Sequence, residues 1–233
     1  MNNKMIIVAT LLTGLISHAA NATLTLNKTR YIYDSDQQSI SLTIKNPSQK
    51  LYGGQVWVDN VSEKGTRPYF INSPSFFKIK GKAKQIVRVM KVAKDLPKNK
   101  ESIFMLNLQD IPPSFKGNGV AVAVRNQVKL IYRPHALEKG RKGAESDLTV
   151  RYLPGEQELV NTTPYIFAIG EVKDIHGKAI KFTKKQQKKL LMFMPDDKVN
   201  VTGYKVKSVI ALNDEGNPKE YILKSADTSS NKH

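Results

Sequence analysis

Alternation of apolar and polar residues recurs along most of this chain, and the period is two rather than 3.6. Ser39-Ile-Ser-Leu-Thr-Ile44 alternates cleanly and stops at Asn46-Pro47, and Gln85-Ile-Val-Arg-Val-Met90 repeats the pattern after a Lys80-Gly-Lys82 turn. A period of two places every second side chain on one face of a strand. Further strand-like runs are Thr23–Asn27, Arg30–Tyr33, Tyr52–Val61, Tyr69–Ile71 and Phe76–Ile79. Trp57 lies in the run from Tyr52, between Val56 and Val58, and a buried tryptophan there is expected. Glu101 to Ile111 closes at Pro112-Pro113, and a run from Val120 to Tyr132 follows and ends at Arg133-Pro134. Short strands separated by Gly, Pro and Asn turns predict an all-β protein built from immunoglobulin-like sandwiches.

Beyond Arg133-Pro134, the stretch Glu138–Ala144 is polar and basic and reads as a linker. More strand signals follow at Leu148–Tyr152, Leu159–Asn161, Tyr165–Val172, Leu190–Met194, Tyr204–Leu212 and Glu220–Leu223. The expected organisation is therefore an N-terminal domain over residues 23–137 and a C-terminal domain over 138–233, with a frayed tail from Ser225.

The first 22 residues are an address. Lys4 is their only charged residue, Met5–Ile16 is apolar, and Ala20-Asn-Ala22 supplies a small-x-small cleavage pattern. A cleavable secretory signal is expected, with no other stretch long enough to insert in a bilayer. The chain has no cysteine. An exported protein of this kind has neither disulfides nor thiolate metal sites, so packing must stabilise it. His135, His176 and His233 show no metal-ligand spacing, and no nucleophile elbow, phosphate loop or cofactor motif occurs. The sparse carboxylates offer no pair for glycosidase chemistry.

The formal charge is +17. Such an excess attracts polyanions, but an exported protein seldom meets nucleic acid, and acidic protein partners are the better match. The densest cationic run, Lys184-Lys185-Gln-Gln-Lys188-Lys189, reads as a solvated loop or strand edge.

One ordered set of residues spans the chain: Thr29-Arg30, Leu96-Pro97, Lys100-Glu101-Ser102, Asn107-Leu108, Ile111-Pro112-Pro113, Lys129-Leu-Ile-Tyr-Arg133-Pro134, Pro164-Tyr165 and Asn213-Asp214-x-Gly216. This set resembles the PapD-like periplasmic chaperones of the chaperone–usher pilus pathway. The resemblance implies two immunoglobulin-like domains in a boomerang with a cleft between them. It implies as partners fimbrial subunits, which lack a strand, and an outer-membrane usher to which they are delivered. Arg30 and Lys129 match the family's cleft cations that anchor the subunit's C-terminal carboxylate. Val120, Val122 and Val124 match the row donated to the subunit's open core, with Ala121 and Ala123 turned to the chain's own core. From the residues alone, all five fit a buried strand equally well. Glu101, Arg133 and Asp214 match a trio that ties the domains together.

Val124 and Lys129 are five positions apart, so strict alternation puts them on opposite faces, and a bulge or added twist is expected between them. Met105 departs from the family pattern, which has an aromatic residue there, and the short loop Ser114–Gly119, with no cysteines flanking the donor strand, resembles the branch serving rod-like, adhesin-tipped pili. A structural fibre subunit is the competing interaction-protein reading, disfavoured by the absent cysteines and the two-domain length. An exposed valine edge leaves a capped or dimeric resting state open.

Overall fold

The computed structural model describes residues 24–114 and 121–224. The expected signal segment, Val120, most of the Ser114–Gly119 loop and the tail from Ser225 therefore lie outside the described residues.

The N-terminal half comprises β1 (Thr25–Leu26), β2 (Arg30–Asp34), β3 (Ile40–Lys45), β4 (Tyr52–Asn60), β5 (Phe70–Ser73), β6 (Phe76–Ile79), β7 (Lys84–Lys91), β8 (Ser102–Ile111) and β9 (Arg125–Arg133). They form a four-stranded sheet, order β1-β3-β7-β5, and a five-stranded sheet, order β2-β9-β8-β4-β6. Alternation dictates how the sheets meet. Leu42 and Ile44 of β3, Val87 and Val89 of β7, Val56 of β4, Phe104, Leu106 and Leu108 of β8, and Leu130 and Tyr132 of β9 share one core. Phe70 packs edge-on against both Tyr33 and Phe104, with centroids 5.2 and 4.9 Å apart, a favoured aromatic geometry.

The second half holds α1 (His135–Glu138), a 3-10 turn (Ala144–Asp147), β10 (Thr149–Leu153), β11 (Glu156–Val160), β12 (Ile169–Asp174), α2 (Lys184–Leu190), β13 (Lys198–Asn200), β14 (Val206–Leu212) and β15 (Pro218–Ile222). Two three-stranded sheets, β10-β11-β13 and β12-β14-β15, enclose a separate core of Leu148, Leu159, Phe167, Ile169, Val172, Phe193, Val199 and Val209 among others. The all-β sandwich architecture expected from the alternation is present.

Several local expectations fail, each for an identifiable reason. Trp57 is only half-buried: Val56 takes the core position, and the indole lies outside beneath the Arg125 guanidinium, 4.9 Å from its centroid. The basic run Lys184–Lys189 is a helix, not a loop or strand edge. Its start is fixed by a capping box in which the Thr183 hydroxyl accepts from the Gln186 N–H and the Gln186 side chain accepts from the Thr183 N–H. The strand expected over Leu190–Met194 is replaced by the end of this helix and a single Phe167–Phe193 bridge. The expected linker is partly interior, because Arg141, Ala144 and Glu145 are buried.

Each half is braced by a buried asparagine. Asn46 donates from Nδ2 to the carbonyls of Lys50 and Ile79 at 2.8 and 3.0 Å, and its Oδ1 accepts from the Ser48 N–H and hydroxyl. Asn161 does the same in the second half, donating to Tyr165 O and Phe193 O at 2.8 and 3.0 Å and accepting from the Thr163 N–H and hydroxyl. Alanine at 161 strands the Tyr165 carbonyl and the Thr163 N–H, while Phe193 O keeps the Phe167 N–H and the Thr163 hydroxyl keeps the Tyr165 N–H, and each stranded group costs about 1–3 kcal/mol. Asn161→Ala is therefore expected to lower stability by about 3 kcal/mol or more. Urea unfolding measures this, and a change below about 1 kcal/mol contradicts it.

Candidate functional site

The same parity that fills the N-terminal core turns the opposite row of each central strand outward, toward the second half. In β2, Tyr31 and Tyr33 face the core and Arg30, Ile32 and Asp34 face away. In β9, Leu130 and Tyr132 face the core while Lys129, Ile131 and Arg133 face away. Strands β2 and β9 are parallel and in register, so Arg30 lies opposite Lys129 and Asp34 opposite Arg133. The outward row becomes the junction. Ile103, Ile131 and Ile166 are buried together, with Ile32, Val61, Met192 and Met194 packed against them.

The charges at this junction are sorted. Arg133 is buried and donates from Nε to Glu101 Oε1 at 2.7 Å and from Nη1 and Nη2 to the two Asp214 oxygens at 2.7 and 3.1 Å. Glu101 is also buried, and its other oxygen accepts from the Ile166 N–H at 2.8 Å. The structure thus brings Glu101, Arg133 and Asp214 into one network spanning both halves. Burial pushes the Glu101 carboxyl up, against the pull of Arg133 and the Ile166 N–H. Burial would lower the Arg133 guanidinium, but the Asp214 and Glu101 carboxylates outweigh it and hold it raised.

Arg30 and Lys129 lie beside this network, and among the described residues neither is in a salt bridge with a carboxylate. Arg30 is 5% exposed; its Nη1 donates to Leu212 O at 3.0 Å and its Nε has no hydrogen-bond partner. The Lys129 ammonium donates to the Leu191 carbonyl just beyond α2. Desolvation first, and the Arg30 charge second, lower the Lys129 pKa from 10.5 to about 8. Among the described residues no carboxylate lies within salt-bridge distance of Lys129. Two adjacent, partly desolvated cations, neither in a salt bridge among the described residues, form a ready site for one anion.

The donor segment differs from expectation. Residues 121–124 are outside any strand, and regular pairing begins at Arg125. Val122 is 70% exposed, Val124 half-buried, and Ala121 and Ala123 are exposed, so the alanines do not face the chain's own core. Val124 is held by Asp110, whose Oδ1 accepts from the Val124 N–H at 2.6 Å and whose own N–H donates to Val124 O at 3.0 Å. No bulge separates Val124 from Lys129 within the strand, because β8 and β9 pair without a break from Arg125 to Tyr132. The two positions lie on opposite faces. Met105 pairs directly across from Lys129 and is half-buried there, a flexible side chain beneath the cation.

Sequence reasoning missed Arg141 and Glu145. Arg141 donates from Nη2 to the fully buried Glu145 at 2.9 Å, and its Nε lies 3.5 Å from Asp214 Oδ1. Asp36, His135 and Glu138 bring three possible ligand atoms within 4.8 Å of one another, but at the surface, with His135 and Glu138 already paired at 3.2 Å.

Adjacent cations at the junction, with an exposed apolar segment at the end of the adjoining strand, mark a molecule built of two β-sandwich halves. Comparison with known proteins agrees. Residues 23–138 match the family described as pili and flagellar-assembly chaperone, PapD N-terminal domain. The chain is 49% identical to the chaperone protein ClpE of Escherichia coli over 207 residues, 88% of this chain and 78% of that one. Among solved structures, the periplasmic chaperone SfaE superposes with a TM-score of 0.68 at 25% identity, covering 86% of this chain and 98% of that one. The Salmonella enterica SafA pilin–SafB chaperone complex matches in fold, with a TM-score of 0.67 at 21% identity and coverage of 86% and 96%. The chain belongs to the PapD-like family of fimbrial chaperones of the chaperone–usher pathway, and it is a chaperone rather than an enzyme.

Proposed function

We propose that this chaperone holds a fimbrial subunit along the open edge of β9 and anchors the subunit's C-terminal carboxylate on Arg30 and Lys129. The observation that carries this is where the edge ends. Residues 125–128 pair with β8 alone, whereas β2 begins its pairing with β9 at Lys129. A strand added along 121–128 therefore lies in line with β2, and its end meets Arg30 and Lys129. A C-terminal carboxylate at that point means that the added strand runs parallel to β9. If the extended run continues through 122 and 124, those valines fall on the side of Val128 and Leu130, where the chain's own core stops and a subunit's open core takes over. The carboxylate and the valine row thus use opposite faces of one strand.

On this reading residues 23–137 form the donor-strand domain, 138–233 close the cleft, and Met1–Ala22 is the export signal that takes the chain to the periplasm. Delivery to the outer-membrane usher follows from the pathway to which the family belongs. Val122 also supplies the surface for a self-capped dimer of the free chain.

Co-expression with a fimbrial subunit tests the proposal. Val122→Asp is expected to leave the free chaperone's melting temperature unchanged, because the side chain is 70% exposed. It is expected to weaken the subunit complex by about 2–3 kcal/mol, the burial of one valine. Unaltered affinity contradicts the donor-row assignment.

A further inference from the structure

Six charged side chains, three of each sign, are coupled at the domain junction, with Asp34 beside Arg133 and Lys129 beside Arg30 at its margin. Arg30, Arg133 and Arg141 are the cations; Glu101, Asp214 and Glu145 are the anions. All but Asp214 are buried, and the Asp214 side chain is 27% exposed. Asp214 is shared unequally. Arg133 grips it bidentately at 2.7 and 3.1 Å, while Arg141 approaches only to 3.5 Å. What restrains Arg141 is Glu145, which is fully buried in the 3-10 turn and takes the Arg141 Nη2 at 2.9 Å. The guanidinium also lies over Phe167 and Tyr165, at 5.1 and 5.8 Å from their centroids, so it cannot swing clear of the junction without losing both rings. The other Glu145 oxygen has no hydrogen-bond partner, so the carboxylate is committed to Arg141 alone among the described side chains.

We propose that Glu145, acting through Arg141, is a positioning residue for the cleft: it occupies Arg141 so that Asp214 stays directed at Arg133 across the junction and Arg30 keeps its place against Leu212. This rests on the subunit-binding reading above. Arg30 is thereby held against Leu212, opposite Lys129, so the two cleft cations keep their spacing for one incoming carboxylate. Glu145→Gln keeps the shape of the side chain but leaves the buried cluster with one surplus positive charge. Arg141 then competes with Arg133 for Asp214, and the junction loosens.

The absence of cysteine allows spin labels to be placed at Lys84→Cys and Lys207→Cys, exposed positions on β7 and β14, in the full chain. The interdomain distance distribution is then measured in the free protein, and subunit affinity separately. Glu145→Gln is expected to shift or broaden the distribution and to weaken subunit binding about tenfold, of the order seen for coupled charge networks. The double variant Arg141→Met/Glu145→Gln, which restores neutrality, is expected to return both readouts to within about threefold of the parent. A Glu145→Gln protein that loses melting temperature but keeps the parent distance distribution overturns the proposal and leaves an ordinary ion pair of the C-terminal half. If Glu145→Gln does not fold, Glu145→Asp, which keeps the charge but draws the carboxylate one methylene away from Arg141, carries the distance arm: a shifted distribution supports the positioning role and an unchanged one overturns it. The distance arm needs no subunit. A shifted distribution in a chain that fails to bind any subunit carboxylate therefore refutes the binding reading and not the positioning role.

Discussion

Replacing Lys129 with methionine is expected to abolish retention of a fimbrial subunit while making the free chaperone more stable. The two effects share one cause. Burial and the neighbouring Arg30 disfavour the ammonium and lower its pKa to about 8, so the folded chain bears a cost that the unfolded chain does not. Methionine fills similar volume without charge. The lost hydrogen bond to the Leu191 carbonyl offsets part of the relief, leaving a net gain of about 1–2 kcal/mol. Removing the cation from a subunit carboxylate is expected to cost about 2–5 kcal/mol of affinity, thirtyfold or more. The sign of the pH dependence follows. The folded group releases its proton near pH 8, whereas the unfolded group holds it to the ordinary value of 10.5. Between these values the unfolded state binds more protons, so this residue's contribution to free-chain stability rises with pH. Subunit affinity runs the other way: flat below pH 8, then falling about tenfold per pH unit above it. Methionine at 129 removes both slopes. Urea midpoints and subunit titrations from pH 6.5 to 9.5 measure them, and a Lys129→Met protein less stable than its parent contradicts the account.

Arg133→Leu is expected to be the most damaging single change to the junction, costing about 3–5 kcal/mol. The loss does not measure the worth of the ion pairs. It measures two carboxylates left behind, Glu101 buried with only the Ile166 N–H to serve it, and Asp214 with Arg141 at 3.5 Å. The halves have separate cores, so the damage falls on their docking. Two separated urea transitions are expected in place of one, with the junction isoleucines Ile103, Ile131 and Ile166 exposed in the intermediate. The stranded carboxylates can each take up a proton, so the deficit relative to the parent narrows as pH falls toward 4. A single transition within about 1 kcal/mol of the parent contradicts the network's role.

How far the sequence foretold this site depends on which physical rule placed each residue. Alternation alone puts Arg30 and Lys129 on the face opposite Tyr31 and Leu130, and so out of the core. It could equally have excluded Trp57 from the core, because Val56 and Val58 flank it. The pairing of Arg30 with Lys129 needed the parallel β2–β9 register, which no local pattern encodes. Glu101, Arg133 and Asp214 were legible through family resemblance, since ordinary surface charges look the same in sequence. Arg141 and Glu145 were hidden because a polar, glycine-bearing stretch reads as a linker until a neighbouring core buries it. The helix Lys184–Leu190 was signalled by Thr183 and Gln186 at capping-box spacing, a cue outweighed by its density of lysine. Ala121 and Ala123 were misplaced because the resemblance carried a regular strand back past Arg125, where the backbone hydrogen bonds to β8 end with Val124 and residues 121–123 are exposed.

The most direct test of the account is a double-mutant cycle between Lys129 and the subunit's terminal carboxylate. A fimbrial subunit with a free C-terminus and the same subunit with its C-terminus amidated are each titrated with the parent chaperone and with Lys129→Met. The account predicts that amidation and Lys129→Met each cost about 2–5 kcal/mol and that the two together cost little more than either alone. Losses that simply add, or an amidated subunit bound as tightly as the free acid, contradict the claim that this cleft reads a carboxylate.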